Sequence, residues 1–192
     1  MSHHGFMAER TWKLRRTPGE GRRLIVLEAC LMSGPMTGEF IKQNPVACRR
    51  IEIPENQTLA HLHHAIFRAF DRHDQHMYEF QFGKGPHDPR ARRYVLPGMF
   101  KNPVPGSKET FAGDVTRTAL KSLNLKPGMA FGYWFDYGDD WYHQVNVAGY
   151  RRGTPGRRYP RVTRRTGQSP PQYVDWDKEE ARSGRGKQAG RA

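Results

Sequence analysis

Phe131-Gly-Tyr-Trp-Phe-Asp-Tyr-Gly-Asp-Asp-Trp-Tyr-His-Gln-Val-Asn-Val147 consists of two alternating apolar runs around a turn that holds three aspartates. Phe131, Tyr133 and Phe135 share one face of the first run. Trp141, His143, Val145 and Val147 share one face of the second, the period of two expected of half-buried strands. Between the runs, Gly138 tolerates positive φ, and Asp136, Asp139 and Asp140 can cap their own backbone. The stretch predicts a β-hairpin with an acidic tip.

Upstream of this hairpin the pattern supplies more strands and a helix. Leu24 to Leu31 is an apolar run closed by Ser33, Gly34 and Pro35, short enough to be a buried strand. Val46 to Ile53, closed by Pro54, predicts a second strand, with Ala47, Ile51 and Ile53 on one side and Arg50 and Glu52 on the other. These two can pair as a hairpin with a long loop. Thr58 is a suitable N-cap for a helix from Leu59 to about Phe70, because Leu59, Leu62, Ile66, Ala69 and Phe70 recur at helical spacing. In Met77 to Phe82, Tyr78, Phe80 and Phe82 alternate with Glu79 and Gln81, a third strand with a polar outer face. Residues 83–113 are rich in Gly and Pro with a basic run at Arg90, Arg92 and Arg93, so a long surface loop with one strand at Tyr94 to Leu96 is expected. Asp114 can cap a second, shorter helix through Leu123, which Pro127 and Gly128 terminate. This order, without repeated βαβ units, predicts a single α+β domain with two helices on one face of a mainly antiparallel or mixed sheet.

A chain of 192 residues with 20 Gly and 14 Pro has room for one domain and extensions. The expected division is a basic leader over 1–23 without fixed structure, the α+β domain over 24–150, and a largely disordered Arg/Gly/Pro-rich tail over 151–192. No run approaches the roughly 18 apolar residues of a membrane span, and residues 1–23 lack the apolar centre of a signal peptide. Cys30 and Cys48 form no CxxC pair, so two free thiols in a reducing cytoplasm are expected, with no membrane partner.

The net charge is +13, with an isoelectric point near 10.1 and a mean hydropathy of −0.86. From Arg151 onward twelve Lys and Arg stand against four Asp and Glu, a surplus of +8. Such an imbalance points to a polyanionic partner, nucleic acid before membrane because no basic amphipathic helix is visible. The candidate phosphate contacts are Arg151, Arg152, Arg157, Arg158, Arg161, Arg164 and Arg165, interleaved with Tyr150 and Tyr159 for occasional base stacking. No helix-turn-helix, zinc finger or RNP motif is present, so sequence readout has no support.

The candidate polar site comprises His63, His76, Asp136, Asp139, Asp140 and His143. Crowded carboxylates with imidazole can hold a divalent cation, although the spacing matches neither an EF-hand loop nor a zincin motif. The plainer expectation is a turn whose aspartates bond backbone N–H groups, and a His63 satisfied within the core. Arg49 and Arg50 are expected to form structural ion pairs. No metal or cofactor is assigned, and no nucleophile with a base or nucleotide-binding glycine motif is present.

Pro45-Val-Ala-Cys-Arg-Arg-Ile-Glu-Ile-Pro54, Thr58-Leu-Ala-His-Leu-His63 with Phe70, His76-Met-Tyr-Glu-Phe80 and Tyr133-Trp-Phe-Asp-Tyr-Gly-Asp-Asp-Trp-Tyr-His143 together resemble the family typified by the third open reading frame of the Ri plasmid. The resemblance covers about Leu24 to Val174. It implies an α+β domain akin to proteins carried by insertion elements, some of them labelled resolvases. In this chain Cys48 stands where that family usually has Trp, and the closing segment lacks the usual Cys and acidic-glycine ending. The residues and the resemblance together predict a non-enzymatic domain associated with plasmid or mobile-element DNA, binding nucleic acid through its basic tail. Two other readings are a metal-dependent phosphodiester hydrolase built on the acidic tip and a protein-interaction adaptor built on an exposed aromatic hairpin.

Overall fold

The computed structural model describes residues 17–85, 87–102 and 110–179. In chain order it runs β1 (Thr17–Pro18), β2 (Arg23–Ser33), α1 (Gly38–Gln43), β3 (Cys48–Pro54), α2 (Leu59–Ala69), β4 (Tyr78–Phe82), β5 (Arg92–Val95), α3 (Pro97–Lys101), β6 (Gly113–Asp114), a 3-10 turn (Leu120–Leu123), β7 (Ala130–Phe135), β8 (Trp141–Arg152), β9 (Arg158–Tyr159) and β10 (Arg161–Thr166). Eight strands form one sheet in the order β10-β3-β2-β8-β7-β4-β5-β6, and β1 pairs with β9 in a small second sheet. Within the large sheet only β5 and β6 run parallel. The expected α+β class with a mixed, mainly antiparallel sheet is what the chain forms.

One face of this sheet makes the core. Ile25, Leu27, Ile51, Ile53, Phe80, Tyr133, Val145 and Val147 meet Leu59, Leu62, Ile66 and Phe70 of α2. Each such side chain removed from water contributes roughly 1.5–3 kcal/mol, which is why an 11-residue helix too short to persist alone is held here. The helix starts at Thr58, whose backbone N–H donates to His61 Nδ1 at 3.3 Å. It stops where Asp71 turns to φ +56. Next to the hairpin turn Trp141 is fully buried, and a side chain at Gly34 would overlap its ring.

Several expectations are corrected. The predicted second helix is a single 3-10 turn, with Leu120 and Leu123 on the same face of the sheet as α2. Asp114 ends β6 instead, its Oδ1 accepting from the Thr116 backbone N–H at 2.6 Å and hydroxyl at 2.7 Å. The 83–113 excursion contains β5 and α3 and covers the far side of β4, so Glu79 and Gln81 are buried and not solvated. Order begins before Leu24, since Thr17 and Pro18 pair with Tyr159 and Arg158; residues 1–16 of the expected leader lie outside the described residues.

The largest correction concerns the tail. Residues 151–166 are not disordered: β8 runs to Arg152, and β10 pairs antiparallel with β3 as the sheet's outermost strand. The expectation for 180–192 lies outside the described residues. Cys30 and Cys48, expected free, face each other across β2 and β3 and form a disulfide with Cα atoms 4.1 Å apart. A reducing compartment therefore no longer follows from the cysteines. No helix among the described residues is long and apolar enough to cross a membrane.

Candidate functional site

At the acidic tip, five residues join Phe135 to its register partner Trp141. Asp136 and Asp140 adopt positive φ of 59° and 58°, conformations that short polar side chains tolerate best among residues bearing a Cβ. Asp136 holds the turn: its Oδ1 accepts from Gly138 N at 3.1 Å and from Asp139 N at 3.4 Å, while its carbonyl accepts from Asp140 N at 2.7 Å. The second oxygen, Oδ2, is 3.5 Å from His76 Nε2.

His76 Nε2 lies 2.8 Å from the Tyr173 hydroxyl and 3.7 Å from Asp74 Oδ2. Tyr173 in turn donates to Asp74 Oδ2 at 2.8 Å, holding the Asp74 carboxyl below its usual range and fastening the C-terminal segment to the loop after α2. Gln172 completes the attachment, its Oε1 accepting from the backbone of His73 and Asp74, each at 3.0 Å. Asp140 looks elsewhere, 3.8 Å from His87 Nε2. Asp139 is half-buried and contributes a favourable charge to Arg72.

The two remaining histidines of the candidate site belong to the core. His63 is fully buried and lies flat on Tyr78, ring centroids 3.6 Å apart. Its Nδ1 accepts from the Tyr133 hydroxyl at 2.7 Å and its Nε2 donates to Gln75 Oε1 at 3.4 Å, an arrangement that needs the neutral ring. Burial drives its pKa well below the ordinary value. His143 sits between Phe70 and Tyr133, where a contact with the Tyr133 backbone favours the protonated ring. Burial, helped by the Arg72 charge, lowers its pKa to about 3. Arg72 is buried over the Trp141 ring, 3.8 Å from its centroid, with a single hydrogen bond to Pro170 O.

The six nominated polar residues thus divide among the core, the C-terminal clasp and the solvent. Among the described residues no three His, Cys, Asp or Glu side chains are grouped to hold a metal ion. The aromatic hairpin is not an exposed surface either, because Phe131, Tyr133, Phe135, Trp141 and Tyr142 are all buried.

The arginines fall into two sets. Arg49, expected to form an ion pair, is 1% exposed and donates to the carbonyls of Ala69, Cys48, Thr166 and Gly167 and to Ser169 Oγ at 2.8–3.1 Å. Loss of solvent lowers its pKa. Arg151 pairs with Glu52 at 2.8 Å, and Arg165 with Asp71 at 3.1 Å. By contrast, Arg50, Arg152, Arg157, Arg161 and Arg164 form no ion pair with a described carboxylate. Arg152, Arg157, Arg158 and Arg164 are exposed, and Arg50 and Arg161 are half-buried. Strand register places Arg164 opposite Arg50, Arg165 opposite Arg49 and Arg23 opposite Arg152. Arg165 and Arg23 have carboxylates of their own, Arg23 lying 3.6 Å from Glu55, whereas Arg164 and Arg50, on the sheet face opposite the core, repel across the ladder without one among the described residues.

A polar network that the sequence reading did not find lies under the 83–93 loop. Glu79, fully buried, accepts from Arg93 at 2.9 and 2.8 Å, from Gln81 Nε2 at 2.6 Å and from the Tyr137 hydroxyl at 3.1 Å. A cleft of about 490 Å³ beside it is lined by Gln81, His87, Asp88, Arg93 and Trp134 among others. Alternation puts Glu79 and Gln81 on the face opposite Tyr78, Phe80 and Phe82, and only the pairing of β4 with β5 brings Arg93 to Glu79.

A family model described as plasmid pRiA4b ORF-3-like protein matches residues 39–176. The crystal structure of a protein of unknown function from Methanosarcina mazei Go1 resembles this one with a TM-score of 0.60 at 22% identity, over 83% of this chain and 79% of that one, a likeness of fold. No curated protein matches the chain.

Proposed function

The chain belongs to the plasmid pRiA4b ORF-3-like family, and on that premise we propose that it is a binding protein, working without a catalytic step, that takes nucleic acid at the arginine corner formed by β10 and the turn before β9. The observation that carries this reading is the like-charged cross-strand pair of Arg164 and Arg50, with Arg161 on the same face of the sheet. Neither Arg50 nor Arg164 forms an ion pair with a described carboxylate, so a phosphate backbone can offset their repulsion. The net charge of +13 adds long-range attraction to the same partner. A protein with this role works in the cytoplasm, where nucleic acid is found.

Binding of a labelled DNA fragment to the full chain, followed by fluorescence anisotropy across a salt series, tests the reading. Replacing Arg157, Arg161 and Arg164 together by Gln is expected to abolish the steep salt dependence. A flat salt response in the unaltered protein, or unchanged affinity in the variant, overturns it. Removing residues 151–192 is not a suitable test, because it also removes β10 and the carbonyls that hold Arg49.

A further inference from the structure

We propose that the arginine corner is a duplex site: it binds double-stranded DNA through the phosphate backbone and discriminates against single strands. The inference rests on the nucleic-acid reading above and goes further by naming the form of the partner.

Single-strand binders without sequence preference combine a basic track with aromatic rings on which bases stack, worth about 1–3 kcal/mol per base. The sequence around this corner contains the ingredients of such a platform, Tyr150 and Tyr159 among arginines, but the fold withdraws both rings. Tyr159 is fully buried, its ring filling the space where a Gly19 side chain would be, and its hydroxyl accepts from Thr154 N at 3.1 Å. Tyr150 is half-buried, its hydroxyl donates to the Leu125 carbonyl, and its face is covered by the Arg23 guanidinium 4.3 Å from the ring centroid. What remains for a ligand is charge held on a rigid sheet, together with the outer edge of β10, which has no neighbouring strand among the described residues.

A surface of this kind gains nothing from unstacking bases. It gains most from a partner whose bases already stack internally and whose phosphates are dense and regularly spaced, which is a duplex. Arg161 and Arg164, on one face of β10, and Arg157 in the turn before β9 are the side chains placed to meet those phosphates. The acidic boundary of the patch is Glu28, across the ladder from Arg50, and Glu52, across from Arg161 and already bonded to Arg151.

The experiment compares the full chain binding one labelled sequence as a duplex and as a single strand, by anisotropy, between about 50 and about 200 mM salt. The duplex is expected to bind at least tenfold more tightly at the lower end, with a log–log salt slope of about −3 if those three arginines each meet a phosphate. Arg164→Gln and Arg157→Gln, both at exposed positions, should each reduce the magnitude of that slope by about 1 while leaving the urea midpoint unchanged. Equal or tighter single-strand binding overturns the duplex inference while leaving nucleic-acid binding in place. Failure to bind either form overturns the nucleic-acid reading itself, and duplex binding whose slope ignores both substitutions moves the site away from this corner and overturns the inference.

Discussion

The His63 ring lies parallel to the Tyr78 ring within 3°, so a histidine at the centre of the apolar helix face is packed as an aromatic and kept neutral. Tyr133 supplies the proton that Nδ1 accepts.

This neutrality makes stability pH-dependent. The folded-state pKa values of His63 and His143 lie below the unfolded value near 6.5, so above that value neither state carries the proton and their full contribution is present. As pH falls below 6.5 the unfolded chain gains protons that the native chain refuses, and stability drops until the folded pKa is reached, about 3 for His143. His143 then costs about 2 kcal/mol by pH 5, and His63 adds to the loss in the same direction. Urea midpoints measured between pH 7.5 and pH 5 should fall accordingly, before most carboxylates titrate; a constant midpoint contradicts the assigned protonation.

His143 and Tyr133 should respond oppositely to loss of their polar atoms. The contact of His143 with the Tyr133 backbone does not offset the burial of its ring, so His143→Phe is expected to be neutral or stabilising and to flatten part of the pH dependence. Tyr133→Phe strands His63 Nδ1 in the core and is expected to cost about 1–3 kcal/mol. Denaturation of the two variants at pH 7.5 checks the order.

Arg49 joins β3, the end of α2 and the segment after β10 through five acceptors. Arg49→Ala is expected to cost about 3–5 kcal/mol, in the range for uncoupling a buried charged group from its partners. Arg49→Lys should recover little, because an ammonium cannot span a planar fork of acceptors. Amide exchange should accelerate first at residues 166–169.

The Cys30–Cys48 pair is expected to leave no titratable thiol in the denatured, unreduced protein and two after reduction. The bridge closes a separation of 18 residues, which corresponds to roughly 3 kcal/mol of unfolded-state entropy on a loop-closure basis. A Cys30→Ser/Cys48→Ser double variant should lose a stability of that order, and two free thiols in the untreated protein contradict the pairing.

Local pattern was enough to identify the strand-forming stretches Leu24 to Leu31 and Phe131 to Val147, and the helix after Thr58, because period-two and helical spacing of apolar residues are written in neighbouring positions. In β10 the same signal was present, since Val162, Thr163 and Thr166 are β-branched, but the surrounding Arg, Gly and Pro outweighed it. The acidic tip was readable as a turn, whereas the separation of its aspartates toward His76, Arg72 and His87 was not.

By itself the chain determined which segments become strands and helix, where its positive charge is concentrated, and that His63 lies on a buried stripe. Only tertiary structure decided that the basic segment closes the sheet, that Tyr150 and Tyr159 turn inward, that Cys30 meets Cys48, and which arginines keep no carboxylate. The physical reason is range: periodicity acts over a few residues, while strand register and charge pairing bring together positions such as Arg49 and Thr166, which lie 117 residues apart in sequence.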